Sequence, residues 1–205
     1  MSVLILDPVL EQRIRSEREE QNRYDEVWDG VLVMAPLPNN EHQFIVMEIC
    51  YAFRDAVNLN AGDRVFPGVN VSDRDADWLT NYREPDVAVY LATNPAKNCG
   101  THWVGGPDLA VEIVSPGEDP HAKLHFYATV NTRELLIVDR NPHCLELYQL
   151  HGGKLLLVGR ADLNNSVVLA SGVLPLTFQL KTSTASTPRA TILLTHSDNT
   201  QTWTA

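Results

Sequence analysis

A chain of 205 residues with 44% hydrophobic and 20% charged side chains is long enough to bury a core and too apolar to stay disordered, so one globular domain with loose ends is expected. No apolar run approaches the roughly 18 residues that a membrane span needs, and three cysteines, Cys50, Cys99 and Cys144, without CxxC spacing fit neither a disulfide scaffold nor a zinc ribbon. The 16 Lys and Arg against 26 Asp and Glu leave a formal charge of −10; such a field repels polyanions as a whole, although a local basic strip can reverse it and carboxylates gathered around a divalent cation also count as acidic.

Met1 to Pro8 lack a basic leader region, so no secretory signal is expected and a reducing cytoplasm is the natural location. Residues 8–24 mix charges in the manner of a solvated helix, which makes 1–23 an N-terminal helical extension. Val27 to Met34 read as two short strands around the Asp29-Gly30 turn. Pro36 and Pro38 break that run, and Asn40 with Gln43 three residues on opens a helix whose apolar stripe, Ile45, Ile49, Ala52, Phe53 and Ala56, ends near Gly62. His42 lies at the start of that helix on the inward face. Val65, Phe66, Val69 and Val71 suggest one or two strands, a polar stretch runs from Ser72 to Glu84, and Asp86 heads a strand through Leu91. Leu109 to Val114 are apolar on both faces apart from Glu112, the mark of a central strand covered on both sides. Glu118, Asp119 and Pro120 open a helix to about Val130, Glu134 to Val138 form another strand, and residues 145–158 make a hairpin through Gly152-Gly153. From Lys181 the chain is Thr/Ser-rich, an appendage with room for one added strand at Ile192-Leu193-Leu194. The expected class is α/β (α+β mixed): one domain over 24–180 with a mixed central sheet flanked by helices and an antiparallel hairpin extension, followed by a tail over 181–205.

Glu112 is the most informative position, because an ionised carboxylate in a two-sided strand needs a cation or a hydrogen-bond donor opposite it. An internal salt bridge and a metal account for it equally well on its own. Asp86 opens a second apolar strand, and two carboxylates converging at one sheet edge, with no basic residue in either strand, favour a hard divalent cation. Lys123 falls in the first turn of the next helix on one face with Tyr127 and Val130, from where its ammonium can reach the strand end. Other groupings carry less. His121 and His125 have zinc-like spacing but no third ligand, and they read as a solvated helix face. Cys99 and His102 read as chance neighbours in a loop, and Ser115 lacks the glycines of a nucleophile elbow.

Asp29 to Met34, the proline loop with His42, Pro85-Asp86-Val87, Pro107 to Pro116 with Glu112, Lys123 with Tyr127, and Arg133 to Asp139, in that order, resemble the Uma2 family, also called DUF820. The resemblance implies a restriction-endonuclease-like PD-(D/E)xK fold over roughly 24–180. It makes Asp86 and Glu112 ligands of Mg²⁺ or Mn²⁺, Lys123 the catalytic lysine, His42 a further site residue, and Glu26 a neighbour of another acidic position. The chain departs from the strict motif in having Val114 where the lysine would stand two residues after Glu112, and it carries Asn131 and Leu136 where the family generally has glycine and an aromatic. The implied activity is metal-dependent endonucleolytic cleavage of nucleic acid, DNA in the first instance, with no membrane partner and with a homodimer compatible. Arg74, Arg83 and Lys97 are the cations expected to meet phosphates. Two alternatives stand beside it: a non-catalytic binding or assembly module on the same fold, which the charge of −10 favours, and a small-nucleotide phosphodiesterase, which needs no basic groove.

Overall fold

A computed structural model describes residues 3–5, 8–9, 12, 25–165, 167–182 and 190–205. Most of the helix expected over 8–24 lies outside the described residues. In chain order the elements are β1 (Val3–Ile5), β2 (Glu26–Trp28), β3 (Val31–Met34), α1 (Asn40–Ala56), β4 (Arg64–Pro67), β5 (Val71–Ser72), β6 (Tyr82–Arg83), β7 (Val87–Tyr90), β8 (Lys97–Asn98), β9 (Trp103–Val104) and β10 (Leu109–Ile113). They continue with α2 (Leu124–Thr129), β11 (Glu134–Arg140), β12 (His143–His151), β13 (Lys154–Asp162), β14 (Leu169–Ala170), β15 (Leu176–Thr182), β16 (Ala190–His196) and β17 (Thr202–Thr204).

The central sheet is six-stranded and mixed, in the order β13-β12-β11-β10-β7-β4. Only the β10–β11 pair is parallel within it, and α2 makes the crossover that a parallel pair requires. Every residue of β10 and β7 is buried, which accounts for their unbroken apolar runs. On one face, Ile45, Ile49, Ala52 and Phe53 of α1 pack against Val87, Val89, Leu109 and Val111. On the other, Phe126 and Tyr127 of α2 meet Ala110, Leu135 and Ile137. The two faces use alternate residues of the same strands, as the twofold strand period demands. A seven-stranded sheet, β1-β3-β2-β6-β5-β9-β8, carries the N-terminal hairpin. Asp29 and Gly30 at that hairpin take φ of 48° and 85°, the left-handed geometry that a two-residue turn between twisted strands needs.

Three boundaries differ from the sequence reading. The cap of α1 is Asn39, one residue earlier, whose side-chain oxygen accepts from His42 N–H at 2.9 Å. The helix carrying Lys123 opens as a 3-10 turn over Pro120–Lys123 before the short α2. The Thr/Ser-rich tail supplies two strands, not one: β16 and β17 complete a four-stranded sheet, and Ile192, Leu194 and Trp203 sit in the same core as α1. Alternation explains this, since Ile192 and Leu194 face inward while Thr191, Leu193 and Thr195 alternate to the other side of the strand. Among the described residues no helix is long and apolar enough to cross a membrane.

Candidate active site

The antiparallel register of β7 on β10 pairs Val87 with Val111, which brings Asp86, the residue before β7, alongside Glu112 and Ile113. Ile113 N–H donates to Asp86 Oδ2 at 2.6 Å, and His42 Nε2 lies 3.1 Å from Asp86 Oδ1. His42 is buried in the first turn of α1, held there because its backbone N–H is the one that Asn39 caps. Its Nδ1 has no hydrogen-bond partner among the described residues.

Glu112 turns to the opposite face from Val111. Lys123 Nζ donates to Glu112 Oε2 at 2.8 Å and to Glu26 Oε1 at 2.9 Å, while the Tyr127 hydroxyl donates to Glu112 Oε1. Glu26, at the start of β2, also accepts Glu84 N–H at 2.9 Å and Trp28 Nε1–H at 2.8 Å. Burial pushes the Glu112 carboxyl up to about 8; Lys123 opposes the shift, and the charges of Glu26 and Asp86 add to it. Burial works against the Lys123 ammonium, but Glu112 and Glu26 outweigh it and hold its pKa above the ordinary lysine value. Burial, then the two carboxylates, raises the Tyr127 phenol well above its ordinary value, so it remains a donor to Glu112.

Glu26, His42, Asp86, Glu112 and Lys123 line one cavity of about 320 Å³. Six carboxylates face it, those of Glu26, Glu84, Asp86, Glu112, Glu118 and Asp119, with Lys123 as the single Lys or Arg of the lining. The four residues singled out in the sequence, His42, Asp86, Glu112 and Lys123, therefore converge from four separate segments. Glu26 joins them more firmly than its sequence position suggested: it is 4% exposed and is the second partner of Lys123. A glutamate opening a buried strand was its available signal. Glu84 was missed, since a charged residue ending a polar stretch carries no mark of burial.

The expected phosphate-facing cations are placed differently. Arg83 is buried, its guanidinium stacked 4.4 Å from the Trp28 ring and 4.3 Å from the Phe126 ring and bonded to Val27 O at 2.9 Å. Arg74 makes a two-pronged pair with Asp73, both bonds at 2.7 Å, and Lys97 pairs with Asp75 at 2.5 Å. Of the paired histidines, His121 Nε2 binds Glu146 Oε2 at 2.7 Å, and His125 is exposed.

The profile of a family named Uma2 and described as "Putative restriction endonuclease" matches residues 10–183. A solved structure of "a putative nuclease belonging to DUF820 from Anabaena variabilis ATCC 29413" is similar, with a TM-score of 0.56 and 17% identity over 72% of this chain and 80% of that one. At that identity the likeness is one of fold. No curated protein matches the chain.

Proposed function

The chain belongs to the Uma2 family, and from that premise we propose that it is a divalent-metal-dependent endonuclease that hydrolyses phosphodiester bonds in nucleic acid, DNA foremost. The observation that carries this reading is the convergence of Asp86, Glu112, Lys123 and His42 on one cavity from segments far apart in the chain. The donor set suits Mg²⁺ or Mn²⁺: six carboxylates against one ammonium repel one another, and hard oxygen donors are what these ions take. Asp86 and Glu112 would hold the ion. Bound there, it supplies charge neutralisation at phosphate and acidifies water.

The remaining chemistry belongs to the side chains. Lys123 Nζ is the one cation of the cavity, and in releasing Glu26 it can bond a non-bridging phosphate oxygen whose charge grows in the transition state. Tyr127 fixes one oxygen of Glu112 so that the other faces the cavity side shared with Lys123. His42 Nε2, 3.1 Å from Asp86 Oδ1, orients that carboxylate and can hold or release a proton against it. Glu26 acts through Lys123, setting where the ammonium rests.

A second reading rests on the same bonds. Lys123 is held between Glu26 and Glu112, as in a buried structural network. Supercoiled plasmid incubated with purified protein and Mn²⁺ decides between them: nicking that EDTA stops, and that falls by at least about a hundredfold in Lys123→Ala and Asp86→Asn, is expected. Nicking that survives both substitutions, or none in the wild type with either ion, favours the non-catalytic network.

A further inference from the structure

The turn Cys99-Gly100-Thr101-His102 joins β8 to β9, outside the lining of the acidic cavity. It is a closely tied turn: Cys99 N–H donates to His102 O at 2.9 Å and Gly100 N–H to Asn98 Oδ1 at 2.8 Å. Gly100 takes φ of 88°, which a residue with a Cβ would adopt only under strain. The turn presents a thiol and an imidazole at Cys-x-x-His spacing, and Asp75, from the loop after β5, meets them. Cys99 Sγ lies 3.5 Å from Asp75 Oδ1, and one ligand atom from each of Asp75, Cys99 and His102 falls within 4.8 Å of the other two. What the sequence presents as chance loop neighbours thus becomes a three-donor cluster once Asp75 is brought in from 24 residues upstream of Cys99.

His102 points to a ligand. It is 5% exposed and stacks on Trp78 at 4.5 Å between ring centres, yet its Nε2 is buried without a hydrogen-bond partner among the described residues. A buried polar atom left unsatisfied is costly and calls for an occupant. The other ring nitrogen, Nδ1, is 3.1 Å from Thr101 Oγ1. When Nδ1–H donates to that hydroxyl, the tautomer leaves a lone pair on Nε2, the arrangement by which an outer partner prepares an imidazole to bind metal.

We propose that Asp75, Cys99 and His102 bind a borderline-soft divalent transition metal of the zinc class at a site distinct from the acidic cavity. Thiolate, imidazole and carboxylate together select zinc or its neighbours over magnesium, and three protein donors leave one position of a tetrahedral ion for water. Binding releases the Cys99 proton to solvent. Lys97 Nζ, 2.5 Å from Asp75 Oδ2, competes for the carboxylate in the metal-free protein. An ion here ties the loop after β5 to the β8–β9 hairpin, and so braces the sheet in which β6 pairs with β2, the strand that opens with Glu26.

The test is titration of the full chain, freed of metal, with Co²⁺ and Zn²⁺. The expected result is a sulfur-to-cobalt charge-transfer absorption that saturates at one equivalent and is displaced by Zn²⁺. Zn²⁺, but not Mg²⁺, should protect Cys99 from iodoacetamide, read by peptide mapping. Cys99→Ser should abolish the band, Asp86→Asn should leave it, and Lys97→Ala should tighten Zn²⁺ binding by up to about fivefold, since removing an exposed ion pair releases Asp75. His102→Gln removes a buried ring that also packs on Trp78, so Cys99→Ser, at a partly exposed turn, is the deciding variant. Absence of the band in the wild type, a band that survives Cys99→Ser, or equal protection by Mg²⁺ would overturn the site.

Discussion

Glu112 meets two opposed demands. It is buried beside Glu26 and Asp86, which favours a proton on its carboxyl, yet it accepts from both Lys123 and Tyr127, which favours the charged form. The net shift is upward, to about 8. An acid raised in the folded state binds more protons folded than unfolded between its ordinary carboxylate value and about 8, so its contribution to stability is complete below that window and is lost as pH rises through it. Thermal melting of the metal-free protein should therefore fall as pH climbs from the ordinary carboxylate range toward about 8. Glu112→Gln should flatten that slope, because the amide oxygen can still accept from Lys123 while its NH₂ turns to the Tyr127 hydroxyl oxygen. An equal slope in the variant would assign the effect to another group. Saturating Mg²⁺ should also flatten the wild-type slope, by holding Glu112 ionised.

Among the elements, the β10–α2–β11 crossover places Lys123 against Glu112. The strict motif position for lysine is Val114, whose N–H is already committed to Val138 O at 2.9 Å at the end of the parallel pair. A lysine at the end of the 3-10 turn, one step before α2, reaches the same carboxylate from above the sheet. A different contact holds the far end of β11. Glu134 is 1% exposed and accepts from Gln149 Nε2 at 2.8 Å, Ser171 Oγ at 2.5 Å and Gly172 N–H at 2.5 Å, tying β11 and β12 to the loop between β14 and β15. Gly172 suits that loop because a Cβ there would approach both Gln149 Nε2 and Glu134 Oε1 to 3.2 Å. Glu134→Ala strands the Gly172 N–H, and hydrogen bonds to a charged group contribute about 1.5–3 kcal/mol each. Three such bonds are lost, so urea unfolding should show a loss of at least the single-bond figure with the slope against denaturant unchanged, while nicking per folded molecule stays at the wild-type level. A loss of activity beyond the unfolded fraction would mean that Glu134 also acts on the site.

For the whole molecule, the charge of −10 and the surface pairs Arg74–Asp73 and Lys97–Asp75 bear on any polyanionic substrate together. A cation already neutralised on the protein displaces few counterions from DNA, so the duplex affinity of Asp86→Asn protein, measured without divalent metal, should depend shallowly on salt. Each phosphate contact contributes about 0.9 to the slope of log affinity against log salt. Asp73→Asn, which removes the charge paired most closely with Arg74, should steepen the slope by up to about 0.9 if Arg74 lies along the DNA path. An unchanged slope would remove Arg74 from that path.

Periodicity and composition alone determined the central strands, the amphipathic face of α1 and the two carboxylates, because an acidic residue inside an otherwise apolar strand announces itself without any neighbour. The resemblance carried by the ordered Asp86, Glu112 and Lys123 was also legible in one dimension, since it depends on residue type and sequence order. The tertiary structure alone decided that Glu26 shares Lys123 with Glu112, that Asp75 joins Cys99 and His102, and that Arg83 is buried between two aromatic rings. It alone also decided that the Thr/Ser-rich tail closes the core over α1. The physical reason is common to all four. A charged or polar side chain takes its final place only when a partner distant in sequence supplies the compensating charge, ring, ligand or apolar surface, and no local pattern records which segment will bring it.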